Sequence, residues 1–132
     1  MSIPDPCPIR VIYGDIDQMG VVYYANYLRY FEAGRNEYLR AHGVKYAEVE
    51  AAGLMLPVIE ARCLYRRFAR YDDLLIVETS LTEVHRASMR FEYRIRREEE
   101  QAPIATGFTL HVCLGKDNKP TRIPHELAKK II

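Results

Sequence analysis

The first half of the chain carries apolar residues at the spacing of an α-helix. They recur at intervals of three and four residues, with charged residues on the other faces: Tyr27, Phe31, Gly34, Tyr38 and Ala41. Gly43 supplies the residue with left-handed backbone at which such a helix ends. The pattern predicts one long helix over residues 25–42, followed by a short helical segment over residues 45–52.

Gly34 is unusual because it lies on the apolar stripe inside this helix. A glycine inside a helix costs roughly 1 kcal/mol of stability relative to alanine. We therefore expect the helix backbone at Gly34 to lie close against a sheet.

The second half of the chain changes to the alternating pattern of β-strands. Strands are predicted at residues 56–67, 74–84, 88–97 and 104–112. One face of the third of these strands is apolar: Met89, Phe91, Tyr93 and Ile95. The last strand places these residues on one side: Ile104, Thr106, Phe108, Leu110 and Val112.

A first, short strand is predicted at residues 9–13, with Ile9, Val11 and Tyr13 alternating. Pro4, Pro6 and Pro8 keep the preceding residues extended. Residues 14–20 have turn residues and no period, which predicts a loop. The short polar connections between the later strands suit antiparallel neighbours.

These elements predict a two-layer α+β domain with an antiparallel five-stranded sheet. A single helix with an apolar stripe must bury that stripe against the one apolar face of the sheet. The length of 132 residues is close to the commonest size of one compact domain, so we expect residues 1–132 to form a single domain.

Composition excludes several classes of protein. The formal net charge of +1 argues against a general nucleic-acid binder. No apolar run approaches about 18 residues, so no membrane span is expected. The first residues lack a basic region followed by an apolar one, so no secretory signal is expected either. Cys7, Cys63 and Cys113 are odd in number and far apart, which argues against a disulfide framework or a cysteine-rich zinc site. A reduced, cytoplasmic setting is expected.

The candidate chemistry lies just before the long helix. Asp15 and Asp17 stand between Gly14 and Gly20, close to the helix start. Unpaired N–H groups at a helix start can stabilise an oxyanion, and an adjacent carboxylate can act as nucleophile or general base. The alternative is that both carboxylates only cap the turn and the helix. No further carboxylate or histidine lies nearby, so no metal site is expected.

The string D-x-D-x-x-G-x-V-Y-Y-x-N-Y, from Asp15 to Tyr27, resembles the signature of the hydroxybenzoyl-CoA thioesterase branch of the hotdog-fold proteins. The nearest group is the short bacterial acyl-CoA thioesterases associated with the Tol–Pal system. The likeness continues through Gly43, the turns at residues 69–74 and 86–88, and Ile123-Pro124, so it covers nearly the whole chain. It implies a hotdog fold, in which the sheet wraps one long helix, and acyl-CoA thioesterase activity.

The resemblance also implies residue roles. Asp17 matches the catalytic carboxylate, which attacks the thioester carbonyl or activates water. Tyr24 matches the position whose backbone N–H polarises the thioester oxygen. The remaining positions are implied to contact or position the substrate: Gly20, Val22, Tyr23, Asn26, Arg86 and Ser88. No cofactor is implied.

The family also implies a homo-oligomer, a dimer or tetramer, in which sheets join edge to edge and residues near Arg86 act across a subunit boundary. A rival interpretation is a non-catalytic module that binds acyl chains or acyl carriers on the same fold. A hotdog dehydratase is disfavoured because the motif holds no histidine. The choice of acyl group, and of coenzyme A or carrier protein, stays open.

Overall fold

The computed structural model describes residues 5–132, and Pro4 lies outside this range. The elements follow in chain order: β1 (Asp5–Arg10), a 3₁₀ turn (Tyr13–Asp15), α1 (Asn26–Ala41), α2 (Tyr46–Ala51), β2 (Val58–Tyr65), β3 (Leu74–Val84), β4 (Ser88–Arg97), β5 (Pro103–Val112) and α3 (His125–Ile131). The five strands form one antiparallel sheet in the order β1-β3-β4-β5-β2. The predicted α+β architecture is confirmed.

Helix α1 lies across one face of the sheet and supplies much of the core. Its buried residues form the apolar stripe: Tyr27, Tyr30, Phe31, Gly34, Tyr38 and Leu39. Phe31 stacks on Tyr93 of β4 with the ring centroids 4.3 Å apart. The helix begins one residue later than predicted and ends before Gly43, which has a φ of 80°.

The expected close approach at Gly34 is confirmed. A Cβ atom at this position would lie 2.6 Å from Thr79 Oγ1 and 2.7 Å from Val77 Cγ1, both on β3. Since real Cβ atoms do not approach other atoms so closely, glycine is what allows α1 to rest on the sheet here.

The prediction for the first strand was wrong in its bounds. Strand β1 spans Asp5–Arg10, and Tyr13 opens the 3₁₀ turn with 77% of its surface exposed. The strand includes Pro6 and Pro8 because β1 is an edge strand paired only to β3. The missing N–H groups of these prolines fall on the unpaired edge, while Cys7 pairs with Val77.

One face assignment in β5 also needs correction. The register shifts between Ile95 and Arg96 of β4, so Ile104 leaves the side predicted for it and is fully buried. The positions of β5 opposite the inward residues of β4 are the small or polar ones: Ala105, Gly107, Thr109 and His111.

These polar residues are tolerated under the helix because they form a hydrogen-bonded chain. Arg35 donates to Tyr93 at 3.0 Å, and Tyr93 Oη lies 2.6 Å from Thr109 Oγ1. Thr109 Oγ1 lies 2.8 Å from His111 Nε2, and His111 Nδ1 donates to the Leu56 carbonyl at 2.9 Å. Burial lowers the pKa of His111 to about 4, so its ring is neutral and Nε2 accepts the threonine proton.

Two further expectations can be compared with the structure. Cys7, Cys63 and Cys113 are free thiols. None of the helices formed by residues 5–132 is long and apolar enough to cross a membrane.

Candidate active site

The loop before α1 folds back on itself as a tight hairpin. Ile16 and Val22 form an isolated antiparallel bridge, and Asp17 N donates to the Val21 carbonyl at 2.9 Å. Gly20 turns the chain with a φ of 78°, which an L-residue adopts only at a cost, and its N–H donates to the Asp17 carbonyl. Part of the segment predicted as an irregular loop is therefore ordered by backbone hydrogen bonds.

The Asp15 carboxylate is buried and fully engaged, with only 4% of the residue exposed. Its Oδ2 accepts hydrogen bonds from Tyr30 Oη at 2.8 Å and Ile12 N at 3.2 Å. Arg29 forms an ion pair with Oδ1. Burial, and then the hydrogen bond to Asp15, raise the pKa of Tyr30, so its hydroxyl stays protonated and donating. Asp15 therefore ties the loop to α1.

The Asp17 carboxylate lies on the same loop in a more open position. It is only partly buried, and its Oδ1 accepts a hydrogen bond from Met19 N at 2.8 Å. Within the described part of the chain, no lysine, arginine or histidine forms an ion pair with it. The hydrogen bond to Tyr24, and to a lesser degree the charge of Asp17, raise the pKa of Tyr23.

Tyr24 lies two residues before the first residue of α1. Its carbonyl accepts a hydrogen bond from Tyr27 N at 3.4 Å and from Tyr65 Oη at 3.0 Å. Its N–H donates to no acceptor among residues 5–132, and its side chain is 61% exposed. The start of α1 therefore presents a free N–H group on the loop that carries Asp17.

Several tyrosine rings lie close to Tyr24. The Tyr24 ring contacts Tyr23, with centroids 4.8 Å apart, and Tyr65 of β2 at 6.4 Å. Tyr65 also packs edge-on against Tyr27 at 5.3 Å. Tyr65 received no role from the sequence, because its relation to Tyr24 depends on where β2 lies in the sheet.

The other predicted site residues near Asp17 differ in their exposure to solvent. Gly20 and Tyr23 are exposed on the Asp17 loop, whereas Val22 is buried in the core. Asn26 is partly buried and donates through Nδ2 to the Asp15 carbonyl at 2.9 Å, so it holds the loop in place.

Arg86 and Ser88 lie at the opposite end of the sheet, where β3 turns into β4. Strand β3 begins near the Asp17 loop, whose Val21 forms a bridge with Arg70, and runs for 11 residues to Val84. At a rise of about 3.3 Å per residue, the two ends are about 33 Å apart. One chain therefore does not bring Arg86 and Ser88 together with Asp17.

No metal centre is formed by the side chains of residues 5–132, since no group of three histidine, cysteine, aspartate or glutamate residues is placed to hold an ion. The chemistry available at the loop is that of an open carboxylate beside a free backbone N–H. These groups suit the cleavage of a carbonyl compound with a developing oxyanion.

The fold and the sequence together place this chain among thioesterases of the hotdog type. The model of the thioesterase-like superfamily matches residues 11–131, and the chain belongs to this family. The sequence is 40% identical over 121 residues to the acyl-CoA thioesterase YbgC of Haemophilus influenzae, covering 91% of this chain and 88% of that protein.

Solved structures agree with this placement. A hypothetical protein from Aquifex aeolicus superposes with a TM-score of 0.92 at 31% identity, covering 98% of this chain and 100% of that one. The DHNA-CoA thioesterase of Staphylococcus aureus superposes with a TM-score of 0.90 at 29% identity, covering 97% and 90%. The predicted hotdog fold and the predicted class of enzyme, a thioester hydrolase, are confirmed.

Proposed function

We propose that the protein hydrolyses acyl-CoA thioesters to a carboxylic acid and free coenzyme A, with Asp17 as the catalytic carboxylate. The observation that carries the proposal is the open carboxylate of Asp17 on the loop whose Tyr24 N–H is free. The relative from Haemophilus influenzae, which is named an acyl-CoA thioesterase, supports the choice of substrate.

In the reaction, an oxygen nucleophile adds to the thioester carbonyl carbon and the carbon–sulfur bond then breaks. The nucleophile is either an Asp17 oxygen or a water molecule from which Asp17 takes a proton. Negative charge develops on the carbonyl oxygen, and the Tyr24 N–H at the start of α1 stabilises that charge. The thiolate of coenzyme A leaves. If water is the nucleophile, the proton that Asp17 took from it passes to the thiolate; if Asp17 is the nucleophile, the acyl group stays on Asp17 as an anhydride, which water then hydrolyses to the carboxylic acid, regenerating the carboxylate and supplying the proton for the thiolate.

The hydrogen bonds explain why Asp17 rather than Asp15 takes this role. Both carboxylate oxygens of Asp15 are occupied and the residue is buried. Tyr30 and Ile12 donate hydrogen bonds to Oδ2, and Arg29 forms an ion pair with Oδ1. Among residues 5–132, the Asp17 side chain accepts one hydrogen bond, from Met19 N to Oδ1, which leaves Oδ2 available to substrate. Its hairpin is tied to the core by Val22, so the carboxylate is positioned before substrate arrives.

The exposed residues around Asp17 form the walls of the substrate site. Gly20 has no side chain, so the pantetheine arm can pass close to the backbone. The rings of Tyr23 and Tyr24 offer an apolar surface with hydroxyl groups at its edge, which can contact the acyl group or the arm. Asn26 contributes by fixing the loop.

A second copy of the chain completes the site in this proposal. Arg86 and Ser88 follow the far end of β3, a strand of 11 residues that spans about 33 Å from its end beside the Asp17 loop. Strand β2 is an edge strand with Val58, Ile59 and Leu64 exposed, and it offers a free edge for joining two sheets. A dimer, which can pair further into a tetramer, places the partner's Arg86 and the partner's Ser88 toward the coenzyme. The proposal includes a cytoplasmic location.

The test is hydrolysis of a panel of acyl-CoA thioesters, from short aliphatic to aromatic, followed by detection of free thiol. Turnover of at least one thioester at a rate well above background is expected. If the protein binds acyl-CoA but releases no thiol from any member of the panel, it is instead the acyl-binding module considered above.

A further inference from the structure

Tyr65 is the last residue of β2, and the sheet fixes its backbone. It lies opposite Ala105 of β5, which is fully buried, and the next residue, Arg66, donates its N–H to the Ile104 carbonyl at 2.7 Å. Its side chain extends to the start of α1, where its ring packs edge-on against Tyr27 with the centroids 5.3 Å apart. Tyr65 therefore reaches the start of the helix from the sheet, which lies outside the Asp17 loop.

The hydroxyl of Tyr65 holds the peptide that follows Tyr24. Its Oη donates to the Tyr24 carbonyl at 3.0 Å. Burial raises the pKa of Tyr65 to about 12, so the hydroxyl stays protonated at neutral pH and can donate this bond. The hydrogen bond that the same carbonyl accepts from Tyr27 N is long, at 3.4 Å. Tyr65 therefore supplies the shorter of these two bonds to the carbonyl.

The peptide that precedes Tyr24 is held by a different bond. Asn26 N donates to the Tyr23 carbonyl at 2.9 Å. In a planar trans peptide the carbonyl and the N–H point in opposite directions, so this bond directs the Tyr24 N–H outward from the helix start. The Tyr24 Cα joins the two held peptides, and rotation about its backbone dihedrals would break one bond or the other. Ala25, at the N-cap of α1, forms no side-chain bond that could fix this turn, so the second restraint comes from Tyr65.

We propose that Tyr65 is a positioning residue for the thioester reaction, whose hydroxyl bond to the Tyr24 carbonyl keeps the Tyr24 N–H directed toward the developing oxyanion. The inference rests on the proposed function, in which that N–H stabilises the oxyanion. Tyr65 acts through Tyr24 and does not touch the reacting atoms. Because a donor stabilises the transition state most when its direction is fixed before the charge develops, loss of the hydroxyl slows the chemical step and leaves substrate binding unchanged.

The test is the steady-state kinetics of Tyr65→Phe, which keeps the ring beside Tyr24 and Tyr27 and removes only the hydroxyl. We expect kcat for acyl-CoA hydrolysis to fall about 10-fold with KM within about 2-fold of the wild type. This loss is smaller than the roughly 10²–10³-fold that follows removal of an oxyanion donor itself. Tyr38→Phe is the matched control, because the Tyr38 hydroxyl donates to the Ile131 carbonyl at 2.8 Å and lies in a later turn of α1. It should lower the melting temperature and keep the kcat of the wild type.

A second readout, the order parameter of the Tyr24 amide from nitrogen-15 relaxation, does not need turnover. It is expected near 0.85 in the wild type, the value of a rigid backbone, and below about 0.6 in Tyr65→Phe. An unchanged order parameter, an unchanged kcat, or an equal loss of kcat in Tyr38→Phe would overturn the inference.

The two readouts also separate the inference from the proposed function. If the wild type hydrolyses no thioester while the order parameter falls as expected, the proposed function fails and the restraint of Tyr24 by Tyr65 is supported. If the wild type hydrolyses acyl-CoA and Tyr65→Phe equals it in kcat, the inference fails and the proposed function is supported.

Discussion

The carboxylates of Asp15 and Asp17, two residues apart on one loop, have opposite surroundings. Asp15 is buried and accepts a hydrogen bond from Tyr30 Oη at 2.8 Å, while Asp17 is half-buried and its side chain accepts, within the described part of the chain, only from Met19 N. The loop thus separates a carboxylate that stabilises the fold from one that is available to react. Substitution at the two positions should therefore change different measurements.

Asp15→Asn should destabilise the protein by about 2 kcal/mol, because the amide cannot accept the hydrogen bonds of Tyr30, Ile12 and Arg29 together. Tyr30→Phe should cost about 1 kcal/mol through loss of one partner. Urea unfolding of both variants and of the double variant measures these values. A loss of activity in Asp15→Asn with unchanged unfolding would contradict the structural role.

Gly34→Ala should destabilise the protein by about 1–3 kcal/mol, although alanine favours a helix by about 1 kcal/mol. The added Cβ would press on Thr79 and Val77 and push α1 away from the sheet. Gly14→Ala is the control, because a Cβ at Gly14 meets nothing within 4 Å and its φ is not positive. Thermal unfolding of the two variants should differ clearly, and equal melting temperatures would refute the close packing.

The buried His111 makes stability depend on pH. Its pKa of about 4 in the folded protein lies below the ordinary value of 6.5, so the unfolded chain binds the proton more readily. This stabilising contribution is complete above pH 6.5 and is lost as pH falls toward 4, by about 3 kcal/mol in total. Between pH 7.5 and 4, the free energy of unfolding should therefore fall more steeply in the wild type than in His111→Gln. Parallel pH profiles for the two proteins would be the contrary result.

Sharing of the site between two copies can be tested by mixing variants. Asp17→Asn and Arg86→Gln each impair every site, but a mixed dimer has one intact site. Random mixing should therefore restore about a quarter of the wild-type activity at low substrate concentration. Activity no higher than the mean of the two parents would show that both groups of residues do not serve one shared site.

The sequence was most informative where local periodicity decides the structure. The stripe from Tyr27 to Tyr38 placed α1 within one residue at its start, and the alternation in β4 identified its buried face. The predictions were wrong where the structure depends on residues that are distant in the sequence but close in the fold. Pro6 and Pro8 fit in β1 only because it is an edge strand, and Ile104 is buried because of a register shift against β4.

The candidate site likewise contains residues that a contiguous motif identifies and residues that only the fold brings together. Asp17, Gly20 and Tyr24 follow from a contiguous motif. The bond from Tyr65 Oη to the Tyr24 carbonyl joins residues 41 positions apart, and no local pattern marks it.

The most direct test of the account is the steady-state hydrolysis of acyl-CoA by Asp17→Asn. Asparagine keeps the acceptor for Met19 N, so the loop and the melting temperature should be preserved while kcat falls by about 10³-fold or more. Asp117→Asn is the matched control, since Asp117 accepts the same kind of bond from Lys119 N in a distant turn. The account predicts wild-type turnover for Asp117→Asn. Near wild-type turnover by a correctly folded Asp17→Asn protein would contradict it.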